Sequence, residues 1–106
     1  MRRVELRGER EATAPGSLSA RVRRLAPEAH VVVMEIGRGG VVGRHPAVVG
    51  QLFVVVSGSG WVSGGDRGRE EIRAGEAVLW EPGEEHESGS EDGMTALVVE
   101  AESLDL

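Results

Sequence analysis

Apolar residues in this chain fall in short, valine-rich runs: Val31-Val32-Val33, Val41-Val42, Val48-Val49, Val54-Val55-Val56 and Val98-Val99. Branching at Cβ favours extended backbone, because the side chain packs well on a pleated surface. Sixteen glycines and four prolines interrupt the runs at short intervals. Many short strands separated by turn signals predict an all-β sandwich or barrel. No stretch repeats apolar residues three and four apart over a dozen positions, so no amphipathic helix is predicted.

The pattern predicts a short strand near Val4–Leu6, a second over Ser17–Leu25 and a third over His30–Ile36. After the Gly37-Arg38-Gly39-Gly40 loop the chain re-extends through Val41–Val49, and Gly50 separates this from Gln51–Ser57. Gly58-Ser59-Gly60 is predicted as a tight turn into Trp61–Ser63, since glycine supplies the positive φ that such turns require. Further strands are expected at Arg69–Arg73, Ala77–Trp80, His86–Ser88 and Thr95–Ala101, and the acidic end after Glu102 is expected to fray. Side chains two apart share a face of a strand. Gln51, Phe53 and Val55 therefore line one face and Leu52, Val54 and Val56 the other. The first set combines amide and phenyl groups and suits a pocket; the second is purely aliphatic and suits a second sheet or a partner subunit.

At 106 residues the chain is expected to form one domain over 1–106, with its core at about 30–100. The N-terminal strands within 1–29 would complete a sheet or a dimer edge. A net charge of −6 conceals an asymmetry: residues 1–50 hold nine Arg against five acids, residues 51–106 three Arg against thirteen acids. The simplest arrangement that accommodates this pairs basic and acidic strands across a sheet; the alternative packs the basic segment on a second subunit. An acidic chain with only three aromatics lacks the basic surplus and stacking platforms of a nucleic-acid binder. No apolar run approaches the roughly 20 residues of a membrane span, and no apolar stretch behind Met1-Arg2-Arg3 marks a signal peptide. A cytoplasmic location is the resulting expectation. The absence of Cys excludes disulfides and thiolate metal sites, and the absence of Lys excludes a phosphate-binding loop of the Gly-Lys type. Gly58-Ser59-Gly60 opens no helix, so it is not a nucleophile elbow.

Two histidines sit in glycine-spaced segments. Gly39 is followed by five residues, His45-Pro46-Ala47, three residues, Gln51, six residues and Gly58. Gly75 is followed by five residues, Glu81-Pro82-Gly83, two residues, His86, three residues and Ser90. Both spacings resemble the paired motifs of the cupin superfamily, and the resemblance spans about residues 30–100, with the short inter-motif spacer of small single-domain bacterial members. It implies a double-stranded β-helix (a cupin or jelly-roll barrel), a pocket for a small molecule, and a homodimer formed at the barrel edge, where unpaired strands need covering.

The departures bear on the chemistry. The metal site of the family uses three His and one Glu; by position Ala47 replaces one His and Gln51 the Glu. What the resemblance implies is therefore a reduced metal site of His45, Gln51 and His86, with Phe53 and Trp80 contacting substrate. Two imidazoles suit Zn, Fe, Ni or Cu, but a neutral amide lacks the charge that helps hold a dication. Glu81, Glu84, Glu85 and Glu87 lie close enough in sequence to supply a carboxylate, and equally suit a solvated surface. Plain structural roles also stand: His45 before Pro46 as a hydrogen-bonded rim residue, His86 as a turn residue, Gln51 as an amide bridging strands, and Phe53 and Trp80 as core. His30, at a strand start, reads as surface. Two functions follow: a metal-binding barrel acting on or binding a small metabolite, or a metal-free small-molecule binding or sensing module without catalysis.

Overall fold

The computed structural model describes residues 1–5, 10–11, 20–21, 28–102 and 104. Its strands are β1 (Arg2–Val4), β2 (Arg10–Glu11), β3 (Ala20–Arg21), β4 (His30–Ile36), β5 (Val41–Pro46), β6 (Gly50–Ser63), β7 (Arg69–Arg73), β8 (Ala77–Trp80), β9 (Glu85–Gly89) and β10 (Met94–Ala101). Every pairing is antiparallel. One sheet runs β1-β8-β6-β10-β4; on a second, β5 pairs β9, β9 pairs β6 and β6 pairs β7. β2 and β3 pair with each other apart from these. Among the described residues no helix is long and apolar enough to cross a membrane.

β4, β7 and β8 coincide with the strands expected at His30–Ile36, Arg69–Arg73 and Ala77–Trp80. The strand expected over Ser17–Leu25 falls largely outside the described residues, only Ala20–Arg21 of it being placed. The segment expected near Val4–Leu6 is extended instead over Arg2–Val4, where it pairs with β8. The larger correction concerns Gly58-Ser59-Gly60, which is no turn: β6 runs unbroken for 14 residues through it. Its first half lies between β8 and β10, and its last residues between β7 and β9. One strand thus belongs to both sheets.

A single extra residue makes that passage possible. The β6–β10 register steps from Thr95↔Ser57 to Ala96↔Val55, leaving Val56 unpaired as a β-bulge. A bulge kinks the strand, increases its twist and reverses its alternation. Before it, odd positions point inward: Phe53 and Val55 join the core with Trp80, Val78, Ala96 and Val98. Beyond it the inward residue is Val62, at an even position, in the same core with Ile72, Met94 and Ile36. Gly58 has φ of +76° and there pairs with Met94; a Cβ at Gly58 would run into the Gly93 carbonyl. The glycine serves close backbone approach at the sheet crossing. On the opposite face of the first sheet Leu52, Leu79, Ala77, Val99 and Val4 form a second apolar cluster, so both faces of that sheet are apolar. Outside it Val31 and Val33 of the edge strand β4 are exposed.

Part of the charge asymmetry is met within the chain: among the described residues Arg2, Arg3 and Arg44 of the basic half pair with Glu81, Glu70 and Glu76, and Glu87 of the acidic half. The exposed pairs contribute little stability each.

Two glycine substitutions separate strain from crowding. Gly75, with φ of +91° and nothing near its would-be Cβ, should lose about 1–2 kcal/mol on Gly75→Ala from left-handed backbone alone. Gly58→Ala should lose that and about 1–3 kcal/mol more, as overpacking does. Urea unfolding of both checks this; equal losses would show that the β6 crossing tolerates a side chain.

Candidate functional site

β5 and β9 bring the two glycine-spaced segments together. Both ends of this ribbon are tied: the Gly39 N–H donates to the Ser90 carbonyl and the Ser90 N–H to that of Gly40, while the Ala47 N–H donates to the Glu84 carbonyl and the Gly83 N–H to that of Ala47. Between the ties His45 stands directly opposite His86. Their ring centroids are 4.2 Å apart at an interplanar angle of 55°.

Regular alternation would not place His45 there. Val42 pairs Ser88 while His45 pairs His86, three steps along β5 against two along β9, so β5 also carries a bulge. Val42 and His45 consequently line the same cavity. Arg44 turns the other way, its guanidinium donating to the Ser63 hydroxyl at 2.7 Å, the Gly64 carbonyl at 2.9 Å and the Glu87 carboxylate at 3.3 Å.

The facing wall comes from the first sheet, whose register stacks residues in rows. His30, Glu100, Gln51 and Trp80 are successive partners across β4, β10, β6 and β8; one step deeper come Val32, Val98, Phe53 and Val78. A row of three polar side chains and the buried Trp80 therefore lies beside a wholly apolar one. The cavity between the walls measures about 80 Å³, against about 150 Å³ for an engineered cavity that binds benzene. Its polar lining is His45, Gln51, His86, Ser88 and Glu100; its apolar lining is Phe53, Trp80, Val32, Met34, Val42 and Val98. All five residues singled out from the sequence thus meet in one place. Ala47 is buried at the end of the β5–β9 ribbon. A larger, open cleft of about 650 Å³ beside Trp61, Glu71, Arg73 and Glu76 contains none of them.

Glu100 is the residue that sequence reasoning missed. Its signal was phase: Ala96, Val98 and Glu100 alternate along one face of β10, and the first two are buried. A carboxylate in register with core residues faces the interior. The Gln51 amide N–H donates to it at 3.2 Å, which leaves the amide oxygen as that side chain's remaining acceptor. His30, read as surface, is exposed, although it occupies the next position in the same row.

Both imidazoles have their protons positioned by the backbone. His45 Nδ1 lies 2.7 Å from the Gly43 carbonyl and His86 Nδ1 3.2 Å from that of Glu84. A carbonyl only accepts, so each Nδ1 carries the hydrogen, and in the neutral ring the lone pair then lies on Nε2. Trp80 stacks on His86 at 4.3 Å and meets Phe53 edge-on at 5.4 Å. Its indole N–H is, among the described residues, the one buried side-chain N or O without a hydrogen-bond partner, the kind of atom that bound water or a ligand ordinarily satisfies.

Burial lowers the tendency of His86 to protonate; the His45 ring and Arg44 act in the same sense, outweighing the Glu84 carbonyl and carboxylate. For Glu84 burial raises the pKa, but bonds from the Gly65 N–H, the Met1 amino group and the Glu81 N–H prevail and hold its carboxyl below the ordinary value. Bonded in this way, Glu84 braces the loop that carries His86.

Neither the sequence models of known families nor the sequences of curated proteins match the chain. Solved structures do resemble it. A conserved protein with a double-stranded β-helix domain from Klebsiella pneumoniae is 21% identical, with a TM-score of 0.65 over 88% of each chain. A cupin-2 domain protein from Shewanella frigidimarina is 16% identical, with a TM-score of 0.61 over 71% of this chain and 72% of that one. The polyketide cyclase RemF from Streptomyces resistomycificus is 25% identical, with a TM-score of 0.63 over 76% of this chain; the match spans 59% of the cyclase. The fold is therefore the double-stranded β-helix of the cupins, and the protein is a small cupin-fold domain.

The His86 environment predicts a pH dependence. A histidine whose folded pKa is lowered binds fewer protons folded than unfolded, so its stabilising contribution is complete above the ordinary imidazole value of about 6.5 and declines as pH falls below it. The Glu84 effect acts only in the more acidic carboxylate range. The Tm of metal-free protein should therefore drop between pH 7 and 5.5, and His86→Gln should flatten that drop. An unchanged slope in the variant would place its origin elsewhere.

Proposed function

We propose that this cupin-fold domain binds a divalent transition metal through the Nε2 atoms of His45 and His86, and binds or acts on a small metabolite in the adjoining cavity. One observation carries the proposal: two imidazoles face each other across paired strands, and each has its Nδ1–H engaged by a backbone carbonyl. Metal-ligating histidines are ordinarily fixed this way, because the second hydrogen bond selects the tautomer and raises the basicity of the ligating nitrogen. The low proton affinity of His86 keeps its lone pair available at neutral pH. Gln51 offers an amide oxygen as a third donor.

The donor set fits a borderline metal such as Zn, Fe, Ni or Cu, which accept imidazole nitrogen readily. Two neutral nitrogens and a neutral oxygen hold it more weakly than a site with an anionic ligand, and leave open positions. A metal there would act as a Lewis acid on a ligand oxygen. Phe53 and Trp80 supply the apolar walls, and the volume suits a molecule smaller than a benzene ring. The unpaired Trp80 N–H favours a ligand that carries a hydrogen-bond acceptor. The structural likeness to a polyketide cyclase is compatible with small-molecule chemistry but does not select a reaction, because one fold hosts many.

A second reading, a metal-free binding module, draws on a different observation: among the described residues no three His, Cys, Asp or Glu side chains are grouped so as to hold a metal.

Elemental analysis of protein purified without chelator, or reloaded with Zn, Fe or Ni, distinguishes the two. Near-stoichiometric metal should be present in the wild type and lost in both His45→Ala and His86→Ala. Metal-free wild type after reloading would sink the metal site and leave the binding module.

A further inference from the structure

Among the described residues Glu100 is the one charged side chain lining the cavity, and no Arg lines it. We propose, building on the metal reading above, that Glu100 is a positioning residue for the two-histidine site, supplying its negative charge through Gln51. Position 51 is where the sequence pattern would otherwise carry a carboxylate. In this chain β6 presents an amide there, and the carboxylate lies one strand away on β10, as the register partner Glu100↔Gln51. The two side chains are joined by a hydrogen bond of 3.2 Å.

The direction of that bond gives it a function. A carboxylate only accepts, so the amide nitrogen of Gln51 faces Glu100 and the carbonyl oxygen is left for another partner. Donation to an anion also draws the amide toward its charge-separated form and enriches the carbonyl oxygen in electron density. Outer partners raise the basicity of a metal ligand in the same manner. The charge itself matters as well. His45, His86 and Gln51 are neutral donors, and a dication taken from water without a compensating anion is strongly disfavoured. Glu100 provides that anion beside the site, reaching it through the Gln51 amide. Its location on a strand outside both glycine-spaced segments explains why the motif spacing alone makes the site look depleted of charge.

The test is Co²⁺ binding to the full chain, followed by calorimetry and by the visible spectrum of the bound ion, with the metal-free Tm of each variant as the measure of folding. Glu100→Gln should weaken Co²⁺ binding about 10–100-fold, the range typical of outer-shell partners, and alter the spectrum while leaving the metal-free Tm nearly unchanged. Adding Gln51→Glu to that variant moves the charge back to β6 and should restore binding to the wild-type level or better. Unchanged affinity in Glu100→Gln, alongside loss in His86→Ala, would overturn the role of Glu100 and leave the two-histidine site standing. Weakened binding that Gln51→Glu fails to restore would also overturn it, since the loss would then come from packing. No Co²⁺ binding by the wild type would overturn this inference and the metal reading together.

Discussion

The pairing of β5 with β9 is the constraint on which the site depends. Neither strand is apolar enough to hold itself in place: β5 is largely exposed, and β9 carries glutamates and a histidine. The ribbon is held by the pairing of β9 with the last residues of β6, by backbone bonds at its two ends and by the Arg44 guanidinium, which reaches the end of β6 and the Glu87 side chain of β9. With its ends fixed, the two imidazoles have one relative position. The bulge in β5 then selects which side chain enters the cavity. Deforming the ribbon would therefore cost the site its geometry before it cost the barrel its core.

That core is built around one long strand. β6 donates Phe53 and Val55 to the interior, crosses between sheets at Val56, and donates Val62 on the far side. The same strand presents Gln51 to the cavity. Site and core share a backbone, which ties the height of the amide to the packing beneath it. The largely polar row and the apolar one are adjacent rows of one register, so a ligand in the cavity meets an abrupt change of polarity over a single strand step.

Much of this was legible in the sequence, for identifiable reasons. Valine runs located β4 and β10 closely, and glycine-rich turn signals bounded β7 and β8, because β-branching and turn residues act locally. The convergence of His45, Gln51 and His86 was legible only through the spacing of two motifs; nothing local to either histidine specifies the other. The bulges were not legible, since an extra residue in a ladder is defined by the partner strand. For that reason Gly58-Ser59-Gly60 read as a turn. Glu100 escaped because a lone acid near the end of a strand ordinarily faces water, and its inward phase emerges only once Ala96 and Val98 are known to be buried.

The extra residue in β5 has a consequence for how such a barrel can change over evolutionary time. Arg44 and His45 are adjacent, and with Gly43 present it is the extra residue that lets His45 rather than Arg44 look inward. Deleting one residue between Val42 and Arg44, such as Gly43, would restore regular alternation and keep both pairings, with Val42 and His45 still facing the cavity and Arg44 still turned away. In this fold a change in strand length that a bulge absorbs can come and go while the side chains flanking the cavity keep their places.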